Sequence, residues 1–149
     1  MLGKGCYGEV YKASKSTAKG EEYAVKVVAK KSINKSKKLT ELFETEVNIM
    51  RDIDHPNILH CFELLETTNN YYMILQYCNG GDLDKHVKTH TRLEEQEALY
   101  FLKQILNGFC ELRSRKIMHR DFKLGNVLLH NDKVIIGDFG FAKSGFELA

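Results

Sequence analysis

Within eight residues the chain carries His119-Arg120-Asp121, Lys123 and Asn126, which together supply a base, cations and a carboxamide. An ionised carboxylate can orient or deprotonate a hydroxyl, a lysine can meet charge on a transferring group, and an amide oxygen suits a hard cation. That set matches what phosphoryl transfer to a hydroxyl needs, against the plainer reading of a polar surface loop. Three further groups stand in the same chain: a glycine-rich turn at Gly3, Gly5 and Gly8, Ala24-Val25-Lys26, and Asp138-Phe139-Gly140.

Each group has a bland reading and a chemical one. Gly3-Lys4-Gly5-Cys6-Tyr7-Gly8-Glu9-Val10 is either a hairpin turn or a loop whose backbone N–H groups can approach phosphates, because glycine has no Cβ in the way. A dinucleotide-binding glycine motif would open a helix, whereas Glu9 to Ala13 read on as a strand. Lys26 sits in the apolar run Tyr23 to Val28. It is either an edge-strand lysine facing water or a cation with a buried partner. Glu46 supplies a partner, since it falls on the inward face of a predicted helix, where a lone carboxylate is costly. Asp138 follows the apolar strand Val134-Ile135-Ile136 and stands twelve residues after Asn126. Asp138 and Asn126 can therefore offer oxygen ligands to one magnesium ion.

The elements that must position these groups are legible from periodicity. Residues 9–13 and 23–28 predict an antiparallel hairpin, and residues 58–65 and 71–77 predict two further strands across a Thr67-Thr68-Asn69-Asn70 turn. Leu39, Phe43, Met50 and Ile53 recur at helical spacing, and Pro56 biases the residue before it away from helix. Asn79-Gly80-Gly81-Asp82 marks a connection, with Asp82 placed to cap a helix from Leu83. Leu99, Leu102, Ile105, Leu106, Phe109 and Leu112 predict a long helix over residues 94–114 that delivers the chain to His119.

These motifs, in this order, resemble the eukaryotic protein kinase domain over nearly the whole chain. The resemblance implies an α+β, two-lobed fold: a mainly antiparallel-sheet N-lobe with the hinge over residues 1–78, and a partial, mainly helical C-lobe over residues 79–149. It implies ATP and Mg²⁺ bound between the lobes, with the γ-phosphate moved to a Ser or Thr hydroxyl of a protein. It gives the ATP phosphates to Gly3, Lys4, Gly5 and Gly8, and the α- and β-phosphates to Lys26 held by Glu46. Val10 and Ala24 would cover the adenine and Leu128 would close it from below. The Gln76 carbonyl and the Cys78 N–H would meet the base, with Leu75 as gatekeeper. It makes Asp121, Lys123 and Asn126 the expected catalytic set, Asn126 and Asp138 the expected metal ligands, and His119 and Arg120 scaffold. Lys123 is similar to the Ser/Thr class. Residues 77–83 and 138–143 look most like the autophagy-initiating kinases of the uncoordinated-like group. Gln76 stands where Glu is frequent, and Leu124-Gly125 depart from the usual proline.

Composition is consistent with this reading. A hydrophobic fraction of 43%, a charged fraction of 28% and a formal charge of +2 allow one core and give no case for nucleic acid. No apolar run reaches a membrane span, and the four cysteines, too far apart for a Cys-x-x-Cys motif, read as reduced packing residues. The expected address is the cytoplasm, with the nucleus open. His86 and His90, four apart, read as a solvated helix face rather than metal ligands. The lysines at 30, 31, 35, 37 and 38 read as a solvated loop, against a nuclear signal or an anionic-partner patch. Nine residues follow Gly140 and no Ala-Pro-Glu occurs, so the chain is expected to be a fragment without the substrate-docking part. Regulatory proteins would then act through regions outside it. The rival to turnover is a nucleotide-binding or interaction module.

Overall fold

The structure is a computed structural model that describes residues 1–4, 8–16 and 20–145. It divides into two compact units. The first comprises Met1–Ile53 and His60–Tyr77, and the second Asp54–Leu59 together with the chain from Cys78 onward.

The first unit is a five-stranded antiparallel sheet with helices. Its strands are β1 (Gly3–Lys4), β2 (Gly8–Ser14), β3 (Glu22–Ala29), β4 (Cys61–Glu66) and β5 (Asn70–Gln76), in the order β1-β2-β3-β5-β4. β3 is central. Its burial alternates with period two, so that Ala24, Lys26 and Val28 share the buried face. Gly8 lies opposite Val28, and a Cβ there would stand 2.1 Å from the Val27 carbonyl oxygen, so the strands close only over a glycine. Gly3 and Gly8 lie in the antiparallel strands β1 and β2, so neither opens a helix as a dinucleotide-binding motif would require. Gly5 itself lies outside the described residues, as does Cys6.

A short helix α1 (Lys30–Ile33) precedes α2 (Lys37–Asp52). Ser36 caps α2, its side chain accepting from the Leu39 N–H at 3.3 Å. Phe43, Glu46, Val47, Ile49 and Met50 are the buried residues of α2. The basic stretch is therefore partly helical rather than a loop. Lys30 is also engaged, pairing with Glu66 and lying 5.0 Å from the Tyr71 ring centroid.

The strand expected over residues 58–65 begins later, at Cys61, because residues 57–59 pair elsewhere. Ile58 bridges Ile136 in parallel, and the Leu59 N–H donates to the Ile136 carbonyl at 2.8 Å. For this reason residues 54–59 belong to the second unit, and the first is not one unbroken stretch of sequence.

In the second unit, α3 (Leu83–His90) is capped by Asp82, which accepts from the Lys85 N–H at 2.9 Å. Burial alone would raise the Asp82 pKa, but the bonds and charge of Lys85 hold it below its ordinary value. α4 (Glu95–Ser114) buries Phe101, Gly108 and Leu112, while Leu99, Leu102 and Leu106 of the expected apolar stripe are exposed. The seam follows Gly108, where a Cβ would stand 2.7 Å from Ile136 Cδ1 and 3.1 Å from the Asn57 carbonyl oxygen. β6 (Ile117–Met118) pairs with β9 (Lys143–Ser144). A 3-10 turn at Leu124–Asn126 leads into the hairpin of β7 (Val127–His130) and β8 (Lys133–Ile136). Leu83, Phe101, Val127, Leu129 and Val134 form the core beneath that hairpin.

His86 is not on a solvated face. Its Nε2 meets Glu97 Oε1 at 2.9 Å and its ring packs edge-on to Phe101 at 5.6 Å. No cluster suited to a metal ion occurs among the described residues, and no helix there is long and apolar enough to cross a membrane.

Candidate active site

In the first unit, strand register gathers the expected residues onto one face. Val10 lies opposite Lys26, Ala24 opposite Leu75, and Lys26 opposite Met73. Directly opposed residues in an antiparallel pair project to the same side, and positions two apart along a strand do likewise. Gly8, Val10, Ala24, Lys26, Met73 and Leu75 therefore share a face. Met73, fully buried, was not anticipated, although its alternation with Leu75 could have revealed it.

Lys26 Nζ lies 2.6 Å from Glu46 Oε1, with the two side chains only 9% and 2% exposed. The solvent-facing alternative for Lys26 is thereby excluded. The second oxygen, Glu46 Oε2, is buried and has no hydrogen-bond partner. A buried cation held by one carboxylate oxygen, on a face where Gly8 carries no side chain, is chemically suited to a phosphate-bearing ligand.

Gln76 ends β5 and spends its N–H on the His60 carbonyl at 3.0 Å, whereas Cys78 lies outside every strand. Burial pushes the Cys78 thiol up to about 12. Leu128 is half-buried in β7, opposite Ile135, and forms a bridge with Asp82.

The second unit assembles the loop expected to carry the catalytic set. Asp121 Oδ2 receives Lys123 Nζ at 3.1 Å and Asn126 Nδ2 at 3.1 Å, and Asn126 Nδ2 also donates to the Asp121 carbonyl at 2.8 Å. The bond from Lys123 holds the Asp121 pKa below the ordinary aspartate value, with the bond from Asn126 and the Lys123 and His119 charges adding to it against a smaller effect of burial. Asp121 is thus an ionised acceptor at neutral pH. Because Asn126 turns its amide nitrogen to Asp121, its Oδ1 is the atom left to act as a ligand.

The peptide before Asp138 is pinned at both ends. The Gly137 N–H donates to the Asn126 carbonyl at 2.9 Å, and the Gly137 carbonyl meets His119 Nε2 at 2.9 Å. His119 is 3% exposed and packs 5.0 Å from the fully buried Phe139 ring. Arg120 and Asp138 both take left-handed backbone, with φ of 65° and 58°. Such geometry costs on the order of 1 to 3 kcal/mol and persists only when surroundings fix it. Here Arg120 Nε reaches the Phe141 carbonyl at 2.6 Å, and Asp138 Oδ1 accepts from the Gly140 N–H at 3.4 Å. His119 and Arg120 therefore act as scaffold, and the Asn126 and Asp138 backbones are tied through Gly137.

The family model for the protein kinase domain matches residues 1–146. The chain belongs to the protein kinase domain family. It is 42% identical to serine/threonine-protein kinase atg1 of Dictyostelium discoideum, over 95% of this chain and 22% of that protein. It is 37% identical to serine/threonine-protein kinase ATG1a of Arabidopsis thaliana, over 96% of this chain and 23% of that protein. Serine/threonine-protein kinase ULK3 of Rattus norvegicus is 38% identical over 95% of this chain and 30% of its own length. The chain thus spans between about a fifth and a third of these relatives. They meet the resemblance drawn from residues 77–83 and 138–143, and the five-stranded sheet with its helices is the architecture expected of a kinase N-lobe and part of a C-lobe.

Proposed function

We propose that this chain carries the nucleotide and catalytic residues of an ATP-dependent serine/threonine protein kinase. The observation that carries the reading is Asp121, ionised and held on one oxygen by both Lys123 and Asn126. A carboxylate fixed in this way can take or orient the proton of a Ser or Thr hydroxyl, while Lys123 is the cation available to a transferring phosphoryl group. Lys26, braced by Glu46, would hold the α- and β-phosphates beside the glycine turn. Within the first unit, the backbone at Gln76 with Val10, Ala24 and Leu75 would take the adenine.

Asn126 Oδ1 and the Asp138 carboxylate fit Mg²⁺ by donor type, both being hard oxygens on segments tied together through Gly137. Bound there, the ion would neutralise charge on the phosphate oxygens. The chain's own residues do the rest: Asp121 handles the hydroxyl proton, and His119 and Arg120 hold the loop in its strained form. The names of the relatives and the presence of Lys123 favour Ser/Thr over Tyr as acceptor.

ATP binding and phosphate transfer should be measured on one sample of this chain, wild type and Asp121→Asn. Since catalysis here rests on positioning and charge, Asp121→Asn should lose turnover by orders of magnitude and keep ATP affinity within about twofold. Undiminished turnover would remove the catalytic role of Asp121. Wild-type nucleotide binding without any transfer would favour the non-catalytic module instead.

A further inference from the structure

Val134, the first buried residue of β8, directs both of its backbone polar groups to side chains. Its N–H donates to Gln104 Oε1 at 3.0 Å, and its carbonyl accepts from Asn57 Nδ2 at 2.8 Å. Two residues on, the Ile136 N–H donates to the Asn57 carbonyl at 2.9 Å and the Ile136 carbonyl accepts from Leu59. Residues 57–59 therefore act as a strand against Ile136, and the amides of Gln104 and Asn57 extend that pairing to Val134. The amides also brace each other. Asn57 Nδ2 reaches Gln104 Oε1 at 3.2 Å, and Asn107 Nδ2 donates to Asn57 Oδ1 at 2.9 Å, which occupies the carboxamide of a residue only 4% exposed.

The outer edge of β8 is thus fastened to α4 by side chains, one residue pair further than the backbone reaches. β8 runs directly into Gly137 and Asp138, and Gly137 is tied to Asn126 and His119. A slide or tilt of β8 against β7, which follows directly on Asn126, would move Asp138 against Asn126. We propose that Gln104, acting with Asn57 and Asn107, is a positioning residue for the metal-binding Asp138 carboxylate. This inference rests on the reading of Asp138 and Asn126 as Mg²⁺ ligands.

Gln104→Met keeps the length and removes the acceptor, whereas Gln104→Glu keeps an oxygen for both the Val134 and the Asn57 donors. Two measurements on the full chain test the idea. The first is hydrogen exchange at the Val134 amide without ligand. Loss of one net hydrogen bond should speed exchange about tenfold in Gln104→Met, with Gln104→Glu near wild type. The second is affinity for a fluorescent ATP analogue with and without Mg²⁺. Gln104→Met should lose several-fold of the Mg²⁺-dependent gain while its metal-free affinity stays within twofold. A purely structural loss would weaken both affinities alike and would overturn the positioning role. Unchanged exchange at Val134 would overturn the amide edge itself, whatever the nucleotide data show. A wild-type chain that binds the analogue with no Mg²⁺ dependence would instead remove the metal reading, and this inference with it.

Discussion

The Lys26–Glu46 pair offers a sharp test of how the first unit is held. At 2.6 Å, and with an effective dielectric of about 20, the attraction is about 6 kcal/mol, set against a desolvation cost of several kcal/mol for each ion. The pair should therefore contribute little net stability, yet removing one member should be expensive. Lys26→Met leaves Glu46 as a buried carboxylate with neither oxygen partnered, since Oε2 already lacks a partner. The expected loss is about 3 to 5 kcal/mol, roughly 10 to 15 °C in Tm for a chain of this size. The double variant Lys26→Met/Glu46→Leu removes both charges, keeps the volume, and should fall within about 1 kcal/mol of wild type. Urea denaturation followed by far-UV circular dichroism suits the assay, because the chain has no tryptophan. Nucleotide affinity measured on the same variants should fall in both, which separates the stability of the pair from its use. A single variant within about 0.5 kcal/mol of wild type, or a double variant as unstable as the sum of both singles, would refute the account of a buried, mutually dependent pair.

Two further outcomes follow from the geometry. The Asp121 carboxyl, followed by NMR, should titrate below the ordinary aspartate value, and Lys123→Ala should move it back up; because the folded value is the depressed one, its stabilising contribution is complete above the ordinary aspartate range and is lost as pH falls through the folded value. An unchanged midpoint in Lys123→Ala would contradict the cause assigned. Among the described cysteines, Cys110 on the exposed face of α4 should alkylate first, half-buried Cys78, its thiol pushed up to about 12 by burial, more slowly, and buried Cys61 only on unfolding; mass spectrometry after brief iodoacetamide treatment reads the order directly.

The sequence by itself determined the family, the candidate chemistry and most of the elements. Asp121, Lys123 and Asn126 lie within one loop, so their meeting needs only local backbone, and Asp82 announces a helix start through capping that is equally local. Lys26 stood in an apolar run that left its facing open, and helical spacing put Glu46 on an inward face, so the carboxylate offered the lysine a buried partner; the structure settled which way Lys26 turns. Tertiary structure decided what spacing cannot hold. α4 has apolar residues around much of its circumference, and its buried face follows Gly108, where a side chain would strike Ile136 and Asn57, rather than Leu99, Leu102 and Leu106. Residues 58–59 read as the start of a strand over 58–65, yet residues 57–59 give their hydrogen bonds to Ile136, far along the chain. His86 found Glu97, and the left-handed turns at Arg120 and Asp138 found Phe141 and Gly140. The physical reason is common to all of these. Periodicity reports which groups must leave water or find a partner, whereas the partner itself is fixed only by packing between segments distant in sequence.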